Sequence, residues 1–288
     1  MTDTTHKTTR QPWSRSDDEG HRLAGKRAFV TGAGTTPGGE LLGIGEAIAV
    51  LFAAQGAKVA IADISSERAE ATLRLVEDAG GEGVVTVGDL ALRDDNARCV
   101  QEAVDAFGGL DTVVNSAALS GGGGSPVDVD LDTWEQVMSV NLHAILLTAR
   151  HAVPHLVAAG GGTIINISSI AATRGHGSGA YAASKAAMLG LTRDWAYAHG
   201  RDGVRVNCIL PGHVYTPMGD QGGPEIRERR RRAGLLPTEG VAWDIAWPAV
   251  FLASDESRWI TGVEIPVDAG TTSSGAYALE ILNERSPA

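Results

Sequence analysis

The 288-residue sequence predicts a single α/β domain: a doubly wound parallel sheet of about seven strands with helices on both faces. Three observations carry this. Short apolar runs rich in Val, Ile and Ala alternate with helical patterns from about residue 26 onward. A glycine-dense stretch directly follows the first run, where a strand would turn into a helix. No self-similar period of roughly 20–50 residues and no linker divides the chain.

The elements follow in order. Ala28–Val30 reads as the first strand, and Gly45–Gln55 as a helix stopped by Gly56. Val59–Ile61 is a second strand, Ser66–Ala79 a helix closed by Gly80-Gly81, and Val84–Val87 a third strand. Asp94–Phe107 is helical and Thr112–Val114 is a fourth strand. Trp134–Val157 carries a long helical pattern; Asp132 and Glu135 have capping-box spacing at its start, and Pro154 is expected to kink or end it. Thr163–Ile167 is a fifth strand, Ala180–Ala198 an Ala-rich helix, and Val204–Ile209 a sixth strand. Trp243–Ala253 is a helix and Val263–Val267 the last strand.

Composition excludes several classes. A net charge of −11 argues against a nucleic-acid or anionic-membrane surface. No apolar run is long enough to span a bilayer. Cys99 and Cys208 lie far apart without paired spacing, which suggests neither a metal site nor a disulfide and fits a reducing cytosol. Residues 1–22 are polar, lack the apolar core of a signal peptide, and read as a mobile tail. Residues 271–288 read as a C-terminal extension to a domain over 23–270.

The glycine stretch runs Thr31-Gly32-Ala33-Gly34 and on to Gly43-Ile44-Gly45, where a helix begins. Glycines at a strand-to-helix turn let backbone N–H groups approach a pyrophosphate, and the helix N-terminus adds favourable partial charge. Asp63 ends the second strand, where a carboxylate binds the adenosine ribose hydroxyls of a dinucleotide, with Ile64 beside it. No Arg or Lys directly follows Asp63, and Arg68 is expected to point along its helix and away. A 2′-phosphate would then meet an uncompensated carboxylate, so the expected cofactor is NAD rather than NADP.

Tyr181 and Lys185 lie four residues apart on a predicted helix, hence on one face. A phenol titrates near pH ~10, too high for proton exchange at neutral pH, and an adjacent ammonium group favours the phenolate. The pair therefore reads as a tuned general acid/base.

Taken with Asp89-Leu90, Asn115-Ser116-Ala117-Ala118, Asn141, Ser168-Ser169, Pro211-Gly212 and Asp268-Ala269-Gly270, these motifs stand in one order. In that order the chain resembles the short-chain dehydrogenases/reductases in their single-domain, Rossmann-type form, from about Leu23 to Gly270. The resemblance implies Tyr181 as the acid/base, with Lys185 tuning it and holding the nicotinamide ribose. It implies Ser169 as the hydroxyl that binds the substrate oxygen, and Asn141 as a residue holding a water in the proton relay. Asp89 and Leu90 would border the adenine. Asn115, Ala117, Pro211, Gly212, Val214 and Thr216 would flank the ribose and nicotinamide. Gly32, Gly43, Ile44, Gly45, Asp63 and Ile64 would hold the rest of the dinucleotide. The implied activity is hydride transfer between a secondary alcohol or ketone and NAD, in a cytoplasmic homotetramer or homodimer needing no metal.

The sequence departs from the family pattern in three places. Ten residues separate Gly32 from Gly43, an insertion of about seven that covers Thr35–Leu42 and either loops outward or folds over the cofactor. The fourth-strand motif reads Asn115-Ser116-Ala117-Ala118, and the segment from Ser169 to Tyr181 is one residue short. Residues 216–240 occupy the place of a substrate lid, with Gly219, Gly222 and Gly223 permitting motion. Five arginines in the lid, Arg227 and Arg229 to Arg232, read as a solvated face paired with Glu225 and Glu228 rather than as an anion site. Ala118, Leu119, Ala171, Ala172 and Met218 suggest an apolar pocket, with His176 and His213 near it. Two other readings compete. A non-catalytic redox sensor or scaffold of the same fold could lose Ser169, Tyr181 and Lys185 freely, and an epimerase or dehydratase would need a longer C-terminal region.

Overall fold

A computed structural model describes residues 21–220, 222–275, 279–280 and 282. Seven strands form one sheet: β1 (Arg27–Thr31), β2 (Lys58–Asp63), β3 (Glu82–Val87), β4 (Thr112–Asn115), β5 (Gly162–Ile167), β6 (Val204–Pro211) and β9 (Glu264–Val267), in the order β3-β2-β1-β4-β5-β6-β9. Every neighbouring pair is parallel. A separate two-stranded pair, β7 (Val214–Tyr215) and β8 (Gly240–Val241), is absent from the sequence reading because two residues carry no readable period.

Successive strand residues face opposite sides of the sheet. Ala28 and Val30, with Val59 and Ile61, pack on one side against α1 (Ile44–Ala54), α2 (Ser66–Asp78) and α8 (Ala242–Ala253). Phe29, Ala60 and Ala62 pack on the other, with α3 (Arg93–Phe107), α5 (Ala144–Ala158) and α6 (Gly179–His199). Both faces are covered, which is why the strands read as near-continuous apolar runs. Burying one such Val, Ile or Phe side chain contributes about 1.5–3 kcal/mol, so the two layers supply most of the driving force.

Two local expectations change. The long helical pattern starts earlier, as α4 (Leu131–Met138), and its cap is Asp130, whose carboxylate accepts from Thr133 N at 2.9 Å; Asp132 is already inside the helix. Pro154 does not end the pattern, because it lies on the exposed side of α5, where the carbonyl it leaves unbonded meets water. The regular hydrogen-bond ladder is interrupted instead at a π-helical turn over Ser139–His143. At the N-terminus, Arg22 is fixed by Glu256 at 2.6 Å and Leu23 is buried, so the ordered domain begins before residue 23; residues 1–20 of the expected tail lie outside the described residues.

Strand order reverses direction between β1 and β4. Connections leaving these two strands run to opposite faces, which opens a crevice at their carboxyl ends. Gly32 follows β1 and Ala117 follows β4, so the sequence motifs meet there.

Candidate active site

A cleft of about 1200 Å³ runs along the carboxyl edge of the sheet. Gly32, Gly43, Ile44, Gly45, Asp63, Ile64, Asp89, Leu90, Ala117, Ser169, Tyr181, Lys185, Pro211, Gly212, Val214 and Thr216 all line it.

The glycine turn is built for backbone contact. Gly32 has φ +61, and a Cβ there would sit 2.5 Å from the Ala117 Cα. A Cβ on Gly45 would lie 2.3 Å from the Gly32 carbonyl oxygen. Thr31 Oγ1 accepts from Ser116 N at 3.0 Å and Ala117 N at 3.1 Å, clamping the β4 end against β1. The first-turn amides of α1 therefore face the cleft across a surface with no side chain in the way. A dinucleotide pyrophosphate fits this cradle, with Gly32, Gly43, Ile44 and Gly45 holding it.

The insertion divides its roles. Gly34, Thr35 and Thr36 line the cleft, while residues 36–40 are exposed. Thr35 N donates to the Arg68 carbonyl at 3.2 Å. Glu46, buried behind the turn, accepts from Gly43 N at 3.0 Å; burial raises its pKa, partly offset by hydrogen bonds from Thr35 and Gly43.

At the adenosine end, Asp63 is buried and its carboxylate accepts from Gly34 N and Ser65 N, both at 3.0 Å. Arg68 does not point away. Its guanidinium donates to Asp63 Oδ1 at 2.7 Å and lines the cleft. Ser65 is the N-cap of α2, so Arg68 stands in the first turn and reaches back over the strand end toward the buried carboxylate. The expectation of a carboxylate without a nearby cation is thus corrected.

At the other end, α6 brings Tyr181 and Lys185 to the cleft. Three sets of hydrogen bonds hold that helix. Asn115 Nδ2 donates to Asn166 Oδ1 at 2.8 Å, and Asn166 Nδ2 to Thr192 Oγ1 at 2.9 Å. Ser168 Oγ donates to the Lys185 carbonyl at 2.8 Å. Asn141 accepts from Leu119 N at 2.7 Å and donates to the Leu119 carbonyl at 2.9 Å and Ser184 Oγ at 3.1 Å. Asn115 and Asn141 are both fully buried, and neither lines the cleft. The Asn141 side chain is occupied in joining loop and helix, whereas Asn115 joins β4 to β5 through its amide nitrogen alone and its Oδ1 has no partner among the described residues. Buried polar satisfaction accounts for the Asn141 side chain.

The Tyr181/Lys185 geometry differs from a simple helix-face pair. Lys185 Nζ donates to the Ile167 carbonyl at 2.8 Å and stands 5.6 Å from the Tyr181 ring centroid. Burial pushes the ammonium down to about 8. Burial also pushes the Tyr181 phenol up; a hydrogen bond with Ser169 and the charge of Arg230 pull it the other way. Ser169 Oγ also accepts from Ala171 N at 3.1 Å, which fixes its backbone at the end of β5. Ser169, Tyr181 and Lys185 meet on one wall, an arrangement able to hold an alcohol oxygen and move its proton.

Around that wall Ala118, Leu119, Val140, Ile170 and Met218 are apolar, while Ala171 and Ala172 stand behind and do not line the cleft. His176, His213 and Arg230 also face it. His213 is pushed down to about 4, first by burial and then by the charges of Arg230, Arg174 and His176. The lid helix α7 (Gly223–Arg231) carries the arginines. Arg227 pairs with Glu239 and lies 3.6 Å from the Tyr215 ring centroid, and Arg231 pairs with Glu228, but Arg230 turns into the cleft. The sequence reading took the run as one solvated face because a charge run carries no sign of which member turns inward.

Among the described residues no cluster of His, Cys, Asp or Glu could hold a metal, and no helix is long and apolar enough to cross a membrane.

Comparisons with known proteins agree with this fold. The family described as enoyl-(acyl carrier protein) reductase matches residues 39–272. The chain is 38% identical over 276 residues to (+)-borneol dehydrogenase 2 of Salvia officinalis, covering 91% of this chain and 94% of that one. It is 37% identical over 253 residues to 2,5-dichloro-2,5-cyclohexadiene-1,4-diol dehydrogenase of Sphingobium indicum, covering 87% and 97%. A solved short-chain dehydrogenase/reductase structure from Burkholderia xenovorans superposes with a TM-score of 0.83 at 37% identity, covering 88% of this chain and 99% of that one.

Proposed function

The chain belongs to the short-chain dehydrogenase/reductase family, and from that premise we propose that it is an NAD-dependent oxidoreductase acting on a secondary alcohol or its ketone. The observation that carries the reading is the meeting of Ser169, Tyr181 and Lys185 on one wall of a cleft whose far end holds the Gly32–Gly45 cradle and Asp63. The borneol and cyclohexadiene-diol relatives are named for alcohols on carbocycles, and the apolar walls here suit such a ring.

The bound nicotinamide would supply the hydride acceptor. Ser169 hydrogen-bonds to the substrate oxygen and steadies its developing charge. Tyr181, as phenolate, takes the hydroxyl proton as the carbinol C–H bond loses hydride; in reduction the phenol returns that proton to the oxygen. Lys185 holds the ribose with one donor while another stays on the Ile167 carbonyl, which fixes the ammonium beside the phenol. Asn141 acts as a positioning residue, tying Leu119 to Ser184.

NAD is preferred because the Asp63 carboxylate at the end of β2 would repel a 2′-phosphate, and Arg68 is already engaged by that carboxylate. The protein works as a homodimer or homotetramer in the cytosol, where Cys99 and Cys208, both buried and unpaired, stay reduced.

A screen over cyclic and acyclic secondary alcohols with NAD and NADP tests the activity. Some alcohol should yield NADH, and Tyr181→Phe should abolish turnover while NAD binding, followed by fluorescence titration, stays nearly intact. A Phe variant that keeps its activity would overturn the acid/base assignment.

A further inference from the structure

The lid arginines are not equivalent. Among the described residues Arg227 and Arg231 each have a carboxylate partner, whereas no ion pair joins Arg230 to any acid. Among the described residues its hydrogen bond runs to the Gly219 carbonyl. Gly219 gives it room: a Cβ there would lie 3.1 Å from an Arg230 guanidinium nitrogen and 2.6 Å from the Val214 carbonyl oxygen. The guanidinium thus lies close against Gly219, on the lining of the cleft. The nearby carboxylate of Asp268 is taken by the Gly270 and Thr272 amides and the Thr272 hydroxyl. Asp132 and Glu135 also line the cleft, on α4, and neither pairs with Arg230. The charge of Arg230 reaches both the Tyr181 phenol and the His213 ring, so it lies within electrostatic range of the reacting end.

A cation on the lining of the cleft, set beside apolar walls, recognises an anion carried on an apolar body. We propose that Arg230 is a specificity-determining residue, and that the preferred substrate is a cyclic secondary alcohol bearing a carboxylate, which Arg230 binds while the hydroxyl meets Ser169 and Tyr181. The inference rests on the reading of the cleft as a secondary-alcohol site and adds the charge of the substrate.

The test compares hydroxycyclohexanecarboxylate isomers with their neutral methyl esters. Wild type should favour the acid. Arg230→Gln should lower kcat/KM for the acid by about 10- to 100-fold relative to the ester, mainly through KM, the range expected for hydrogen bonds to a charged group. Arg230→Lys should restore part of the preference, and Arg229→Gln, at an exposed position outside the cleft, should leave both substrates unchanged. In parallel, calorimetric titration of cyclohexanecarboxylate into the protein with NADH should show binding to wild type and its loss in Arg230→Gln. Equal losses for acid and ester, a rise confined to the KM of NAD, or equal binding of the carboxylate by both proteins would overturn the proposal. If wild type oxidises neutral ring alcohols without preferring acids, only this inference fails. If it oxidises no alcohol of either charge, the dehydrogenase reading fails, and the calorimetry still decides whether Arg230 holds a carboxylate.

Discussion

Replacing Lys185 by methionine should change how stability depends on pH. Lys185 is 2% exposed, and burial lowers its pKa from 10.5 to about 8. In the unfolded chain the amine stays protonated up to 10.5, so between pH 8 and 10.5 the unfolded state binds more protons and folding stability rises with pH. Below pH 8 the folded protein carries the full cost of a buried ammonium group; above 10.5 neither state is charged. From about pH 6.5 to about pH 9.5 the lysine should add about 2 kcal/mol to wild type relative to Lys185→Met. The variant also leaves the Ile167 carbonyl without its donor, a pH-independent cost on the order of 1–3 kcal/mol. Cys208 lies beside the lysine, but its thiol is pushed up to about 12 by burial and stays outside the window. Urea unfolding of both proteins at the two pH values measures the difference, in which titrations common to both cancel. A difference that stays flat, or that falls as pH rises, would refute the assignment of the low pKa to Lys185.

Two further outcomes follow from the site and the surface. Asp63→Asn should weaken NAD more than NADP and free Arg68 for a 2′-phosphate, so the ratio of KM values should shift toward NADP by about tenfold or more; a shift toward NAD would overturn the cofactor assignment. Trp134, Met138, Leu142, Leu146 and Leu191 line an apolar groove along α4, α5 and α6, which the proposed oligomer is expected to cover. Leu146→Arg should reduce the mass measured by light scattering by half, and an unchanged wild-type-like assembly would exclude this face as the interface.

Much of the molecule is legible in the sequence because its causes are local. Strand and helix periods follow from side-chain spacing, and the glycine turn from the steric freedom at Gly32. Tyr181 and Lys185 could be paired from their spacing on one helix. Those readings placed Ser169, Tyr181, Lys185, Asp63 and the glycines on one cleft. They did not reach the contacts that depend on what lies across the fold. Asn115 and Asn141 bond to Asn166, Leu119 and Ser184, partners separated by 22 to 51 positions. Arg68 turns back because a buried carboxylate draws it, although its position in the helix alone suggested the opposite.

The sequence by itself determined a doubly wound α/β chain, its glycine turn and the Tyr181/Lys185 pair on one helix face, since propensity, spacing and steric freedom act within a few residues. Only the tertiary structure decided how the pair is tuned and which arginine faces the cleft. Burial shifts Tyr181 and Lys185 through desolvation, and desolvation is a property of everything packed around a group. Arg230 differs from its neighbours only in where α7 lies against Gly219 and the sheet edge, and no local pattern in a run of arginines records that placement.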